Sequence, residues 1–335
     1  MKQIAVVILN WNGAALLERF LPTVIKNSGE IAHIYVADNG STDSSKELLN
    51  TKFPQVSIIE MPFNKGFAGG YNLALKDLNE PLFCLLNSDV APSENWLYPI
   101  ITAFKSDPQL AIAQPKILDE LKKTHFEYAG AAGGYLDALG YPFCRGRIFQ
   151  DIEEDLGQYN DSVEVFWATG ACMFIRNEVF NRLNGFDESY FAHQEEIDLC
   201  WRAKNLGYKV MYLGNSTVYH LGGSTLSNMN PKKTFLNFRN SLFSILKNMP
   251  FHRALGVILV RLILDGIAGL RFILQGKFSH CLAIIHAHFS FYKGARSAFK
   301  KYPSPKQYIK YYKTTSIVWS HYMRGLKKFS LLAKD

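Results

Sequence analysis

Between residue 3 and about residue 115, short β-branched apolar runs alternate with longer stretches of helical periodicity. Residues 4–9, 31–37, 56–60, 82–86 and 110–113 read as strands, and residues 14–27, 42–51, 67–78 and 94–106 read as the helices between them. This alternation predicts an α/β fold with a mainly parallel central sheet flanked by helices. Ligands of such sheets gather at the carboxyl ends of the strands. The polar runs found there are Asn10-Trp11-Asn12, Asp38-Asn39-Gly40, Asn64-Lys65-Gly66 and Asn87-Ser88-Asp89, so four loops are expected to converge on one crevice.

Further along, residues 116–165 carry Gly130, Gly133, Gly134, Gly140 and Gly146 with an acidic stretch at 151–155, the pattern of a loop-rich insertion with short strands and no legible function. An apolar segment at 165–175, a helix from about 195 to 206 and strands near 209–213 and 217–220 follow. From about residue 230 the periodicity is helical to the end, which predicts two regions, 1–229 and 230–335.

Charge sharpens that division. Residues 1–229 hold 18 Lys and Arg against 27 Asp and Glu, whereas residues 230–335 hold 19 against 2, a net +17 within a chain whose total is +8. Such a basic region implies an anionic partner, a phospholipid surface or a nucleic acid. The apolar runs at 255–260, 262–264 and 267–274 favour lipid, and no nucleic-acid recognition motif accompanies them. Arg261, Asp265 and Arg271 interrupt these runs before they reach bilayer-spanning length, so an interfacial amphipathic helix is expected, or an apolar helix pair covering the first region. Five cysteines without CxxC spacing argue against both a disulfide framework and a cysteine zinc site, and point to a reducing cytosol. The N-terminal apolar run is too short for a signal segment and reads as the first strand.

At 48% hydrophobic and 20% charged, the chain can bury a substantial core, and the polar residues left at its loops carry the chemistry. Asp38-Asn39-Gly40-Ser41-Thr42-Asp43 suits either helix capping, with Ser41 or Thr42 as the cap, or a carboxylate that accepts a hydrogen bond from a pyrimidine. Asn64-Lys65-Gly66-Phe67-Ala68-Gly69-Gly70 matches no phosphate-loop or dinucleotide fingerprint, and its glycines equally suit close helix packing. Asp89 emerges where an apolar strand ends, as a turn residue or as a cation ligand, and His220 in Val218-Tyr219-His220-Leu221-Gly222 could join it if the two lie close in space. In Glu195-Glu196-Ile197-Asp198-Leu199-Cys200-Trp201-Arg202, Asp198 and Arg202 have i,i+4 spacing. Adjacent Glu195 and Glu196 should raise one another's pKa toward that of a general base.

These motifs, in order over residues 3–225, closely resemble the inverting glycosyltransferases of family 2, which have a GT-A fold, and among them the bacterial rhamnosyltransferase-like members. Thr169-Gly170-Ala171 and Gly185-Phe186-Asp187-Glu188 add to the likeness. The resemblance implies Asp38 as the base-recognition residue, with Asn10, Asn12, Asn64, Gly66 and Ser88 around the nucleotide. It implies Asp89 and His220 on Mg²⁺ or Mn²⁺, Glu196 as catalytic base with Glu195 as its rival, and Trp167, Thr169 and Gly170 on the acceptor side. The chain departs from the pattern twice: Asn87 stands where an aspartate is usual, and Glu196 replaces the commoner aspartate. The reaction implied is transfer from a nucleotide-diphosphate sugar, dTDP-rhamnose or a UDP-hexose, to a saccharide or polyprenyl-linked saccharide in cell-surface polysaccharide synthesis. The setting implied is the inner face of the cytoplasmic membrane. A nucleotide-sugar-binding protein without catalysis and a glycosidase using Asp89 and Glu196 are the competing readings, and the second leaves the Asp38 and Asn64 loops unexplained.

Overall fold

A computed structural model describes residues 2–222, 230–301, 305 and 308–332. Its first part is β1 (Ile4–Asn10), α1 (Ala14–Ser28), β2 (Ala32–Asp38), α2 (Ser45–Lys52), β3 (Ser57–Glu60), α3 (Gly66–Leu75), β4 (Leu82–Asn87), β5 (Val90–Pro92), α4 (Leu97–Ser106) and β6 (Leu110–Asp119). Strands β3, β2, β1 and β4 lie side by side, all parallel, with Ile4 paired to both Ala32 and Leu82. Helices cover both faces, so the central strands are apolar throughout rather than alternating. Asn10, Asp38 and Asn87 therefore end their strands at one edge, as the alternation predicts.

The second part contains β7 (Gly134–Asp137), β8 (Pro142–Cys144), β9 (Arg147–Ile148), β10 (Asp151–Ile152), β11 (Ser162–Glu164), β12 (Cys172–Arg176), α5 (Asn177–Arg182), α6 (Glu195–Asn205) and β13 (Lys209–His220). Here the sheet departs from parallel order. Strand β12 runs antiparallel between β4 and β6, while β13 is parallel to β6 and antiparallel to β11 and β5. The two strands expected at 209–213 and 217–220 are one strand, with a register shift between Leu213 and Thr217.

Last come α7 (Pro231–Asn248), α8 (Phe251–Leu274), α9 (Phe278–Lys301), β14 (Tyr312–Thr314), α10 (Ile317–Tyr322) and α11 (Phe329–Leu332). The region is not helical to its end. Strand β14 joins β7 in a second sheet, and the Ile317 amide donates to Asp137 at 2.9 Å. The two ends of the chain's second half are thus stitched together. Residue 229, at the expected boundary, lies outside the described residues. Just after it, Pro231 and the Asn230 side chain, which accepts from the Lys232 amide, start α7. Among the described residues, no helix is long and apolar enough to cross a membrane.

Candidate active site

The loops after β1 and β2 are latched to one another by their own polar side chains. Buried Asn10 donates to Asp38 at 3.3 Å and to Ser41 at 3.2 Å, and Asn12 Oδ1 accepts from the Thr42 amide at 2.7 Å. The expected cap is displaced by this latch. Thr42 turns to Asn12, Asp43 takes the amides of Ala14 and Ser45, and α2 starts three residues late with Ser44 at its cap position. Asp38 is fully buried, with Asn10, the Ser41 amide and Lys46 around its carboxylate. Gly13 has no room for a side chain: an added Cβ would fall 2.5 Å from Asn10 Oδ1, with Ser88 Oγ 3.8 Å away. The Asn10, Asp38 and Ser88 loops therefore share one wall.

Asn39 links this wall to the next loop by donating to Asn64 Oδ1 and to the Gly66 carbonyl. Gly66 has φ +71°, and a Cβ on it would lie 2.6 Å from the Phe191 carbonyl. That carbonyl is bound by the first free amide of α3, Phe67 N at 2.8 Å. The glycine-rich run is thus a close-packed helix whose N-terminal amides hold another loop, and Gly70 sits against Leu9.

The second cluster forms where β4 and β13 end. His220 Nε2 lies 3.1 Å from Asp89 Oδ1 and 3.4 Å from Asn87 Nδ2, which brings together the two residues that the sequence only pairs by chemistry. On the other side of the ring, Nδ1 is 3.2 Å from Glu127 Oε2, in ion-pair range without hydrogen-bond geometry. Burial opposes charge on this imidazole, but Asp89 and Glu127 outweigh it and push the pKa up to about 10. Glu127, and Gly222 packed against it, went unrecognised in the sequence. Their signal, one acid in a loop-rich insertion, cannot be told from surface charge. Among the described residues no group of three or more His, Cys, Asp or Glu side chains is arranged to hold a metal by itself. Asp89 offers an oxygen and His220, once its imidazolium gives up a proton, a nitrogen, which fits a cation that takes its remaining positions from phosphate and water. A carboxylate behind the imidazole is the usual way to fix such a ring.

The third cluster is the turn before α6. Phe191, His193 and Gln194 all have left-handed backbone, with φ of 64°, 69° and 72°. Such residues cost about 1 kcal/mol or more each and persist only where surroundings fix them. Here every carbonyl from 189 to 193 is held from outside. Arg239 donates to those of Ser189 and Tyr190, Asn240 to those of Tyr190, Ala192 and His193 at 3.1, 3.0 and 2.7 Å, and Phe67 N to that of Phe191. Arg239 and Asn240 belong to α7, so the basic region's first helix builds this turn. A little further along α7, Lys247 pairs with Asp187 at 2.8 Å and Asp198 at 3.0 Å, and Asn248 donates to Asp198.

The turn delivers Glu195 and Glu196 to the first residues of α6. Each has one carboxylate oxygen, Oε2, buried and without a hydrogen-bond partner among the described residues. Burial lifts Glu195 well above the ordinary range, reinforced by Glu196 beside it; burial also lifts Glu196, partly buried and tempered by amides of the helix start, to about 7. Asp198 behaves oppositely. Burial disfavours its charge, yet Lys247 and Arg202 hold its pKa down at about 2, so it is a structural anchor, as its spacing to Arg202 suggests. Trp167 and Thr169 lie on the segment between β11 and β12, which meets α6 where the Ala168 amide donates to Cys200 Sγ. Both are buried with internal partners, Trp167 on the Tyr135 carbonyl and Thr169 on Gln114 and Ala171, and Gly170 is packed against Phe67.

A mixed α/β sheet with polar loops at its carboxyl edge, a carboxylate–imidazole pair at one strand end and a buried acid pair opening a facing helix defines a GT-A type glycosyltransferase. The sequence model of glycosyl transferase family 2 matches residues 5–183, and the chain belongs to that family. It is 26% identical over 239 residues to the N-acetylglucosaminyl-diphospho-decaprenol L-rhamnosyltransferase of Mycobacterium tuberculosis, covering 64% of this chain and 75% of that protein. It is 44% identical over 155 residues to rhamnosyltransferase WbbL of Escherichia coli, 44% of this chain and 58% of that one. Among solved structures it is similar to Staphylococcus aureus TarS 1-349 in complex with UDP-GlcNAc, with TM-score 0.57, 13% identity and coverage of 88% and 81%. A mannosyltransferase of Pyrobaculum calidifontis in complex with GDP-Man and Mn²⁺ gives TM-score 0.53 at 12% identity, covering 87% of both chains. These two likenesses concern the fold.

Proposed function

We propose that this glycosyltransferase moves a sugar, with inversion, from a nucleotide-diphosphate donor, dTDP-rhamnose or a UDP-hexose, to a hydroxyl of a saccharide or polyprenyl-linked saccharide in cell-surface polysaccharide synthesis. The observation that carries the reading is the Glu195–Glu196 pair, buried at the start of α6 with an unsatisfied oxygen on each residue. Of the two, Glu196 is the base: it is the less buried, and a pKa near 7 suits proton removal at neutral pH. As the acceptor oxygen bonds to the anomeric carbon, its proton passes to Glu196, and the carbon–phosphate oxygen bond breaks with its electron pair leaving on the nucleoside diphosphate.

Asp38 accepts a hydrogen bond from the base of the nucleotide, while Asn10, Asn12, Asn64, Gly66 and Ser88 shape the walls around it. Asp89 and His220 would hold a divalent cation, Mg²⁺ or Mn²⁺, which when bound offsets the negative charge of the diphosphate. Asn87 leaves that position less charged than an aspartate would. The basic region 230–335 associates with an anionic membrane surface, which suits a polyprenyl-linked acceptor like the one named for the mycobacterial relative.

The test is a thermal-shift panel of UDP, dTDP, GDP and CMP, each with Mn²⁺, Mg²⁺ or EDTA, on the wild type and Asp89→Ala. Selective stabilisation by UDP or dTDP that needs the cation and is abolished in Asp89→Ala is expected. No shift with any nucleotide at saturation rejects the donor reading.

A further inference from the structure

Helix α8 is built inside out for a helix in water. Its buried positions are Ala254, Ile258, Arg261, Asp265 and Gly269, so the face turned into the protein carries both members of an ion pair. Arg261 Nε meets Asp265 Oδ1 at 3.0 Å, Arg261 also donates to Ser241 of α7, and Asp265 is reached by Tyr141 at 2.8 Å and His288 of α9 at 3.1 Å. The opposite face exposes Leu255, Leu259, Ile263, Ile267, Leu270 and Leu274, with Ile263 67% and Leu274 89% accessible. Arg261 and Asp265, which interrupt the apolar runs in the sequence, are therefore turned away from that face, which stays uncharged for about 24 Å of helix from Leu255 to Arg271. Helix α9 extends the surface. Its inner side packs Phe291 on Phe243 of α7, while Phe278, Leu282, Ile285 and Phe289 stand exposed.

A soluble chain rarely leaves so long an apolar surface uncovered, and the charge around this one selects what covers it. Residues 251–301 contain eight Lys and Arg and one acid, the buried Asp265. Arg253, Lys293, Arg296 and Lys300 are exposed near the end where Phe251 meets Phe299, as is Arg271 toward the hairpin tip, where Lys277 is partly buried. An apolar band with cationic ends and no exposed acid complements an anionic bilayer, with its hydrocarbon under the band and its phosphates at the rims.

We propose that α8 and α9 form a monotopic membrane anchor, lying in the plane of an anionic phospholipid interface with the Leu259, Ile263 and Phe289 side inserted among the acyl chains. The anchor deepens the membrane part of the proposed function and is independent of the transfer chemistry, since vesicle binding and nucleotide binding are read separately.

The full chain should co-sediment with phosphatidylcholine vesicles containing phosphatidylglycerol, and do so less with pure phosphatidylcholine. The double substitution Leu259→Glu with Ile263→Glu falls on exposed positions, so its melting temperature and nucleotide shift should match the wild type while vesicle partition drops about tenfold or more. In a second variant, Ile263→Trp, the new indole should be quenched by bromine-labelled acyl chains. Equal vesicle binding by the double Glu variant, or no quenching, overturns insertion in favour of surface charge alone. A wild-type chain that ignores vesicles overturns the proposal outright, and a dimer that the double Glu variant dissociates would identify a second copy as the cover instead.

Discussion

At the residue scale, the acid pair decides whether the site is catalytic. Glu196→Gln keeps size and hydrogen bonding but cannot take a proton, so turnover should fall about 10²–10⁴-fold while the donor-induced thermal shift is retained. The base works as the carboxylate, and its pKa is raised to about 7, so kcat/KM should rise with pH through an apparent value near 7 and level off above it. That value belongs to the Glu195–Glu196 pair rather than to one residue. Glu195, raised further by burial, is protonated where Glu196 titrates, so Glu195→Gln replaces one neutral group by another and should leave the limb near 7 and the activity largely intact. A pH–rate profile of both variants checks this, and a larger loss in Glu195→Gln would exchange the two roles. Both acids stand out in the sequence because adjacent carboxylates at a helix start repel one another. Glu127 does not stand out, because only the close approach of Gly222 and His220 turns an ordinary loop acid into part of the cluster.

At the scale of elements, the turn from Phe191 to Gln194 depends on α7. Asn240, with no exposed surface, spreads two amide hydrogens over three carbonyls, and its Oδ1 accepts from Arg239 Nε at 2.9 Å. Asn240→Ala should cost about 1–3 kcal/mol of stability. It should also lower kcat more than it changes KM for donor, because most of the loops proposed to surround the nucleotide, those of Asn10, Asp38 and Ser88, lie on other elements. Steady-state kinetics and a denaturant titration separate the two effects, and an unchanged kcat would show that the turn holds without α7. Asp198 gives a second handle. Its pKa falls from 3.8 in the unfolded chain to about 2, so its contribution is present above about pH 4 and is lost as pH falls toward 2, an effect of about 2 kcal/mol. Acid unfolding of Asp198→Asn should be shallower over that window. The Asp198–Arg202 pair is legible in the sequence from its i,i+4 spacing, but the turn is not, since left-handed backbone at a Phe, a His and a Gln has no propensity signal and the groups that stabilise it sit about fifty residues on.

At the scale of the whole molecule, the strand and helix positions in the first 115 residues follow from hydrophobic alternation, but only β1, β2 and β3 pair in sequence order; β4 returns to β1, and β5 and β6 find their partners in β12 and β13. The second half pairs at long range. Strand β14 comes back to β7, and Phe329 packs on Tyr135 and Phe143. A division at residue 229 is drawn by charge, yet Asn240, Lys247 and Asn248 on its far side hold the turn and α6 on its near side. Removing residues 230–335 would leave Asp187 and Asp198 buried without Lys247. An uncompensated buried charge costs about 3–5 kcal/mol, a large part of a domain's stability. The truncated chain is therefore expected to aggregate or to melt without cooperativity, and its failure to bind vesicles would say nothing about lipid. Circular dichroism melts of chains ending at 229 and 335 check this. A cooperative melt and an intact nucleotide shift for the shorter chain would show that 1–229 folds alone, and that the α7 contacts refine the site without being needed to form it.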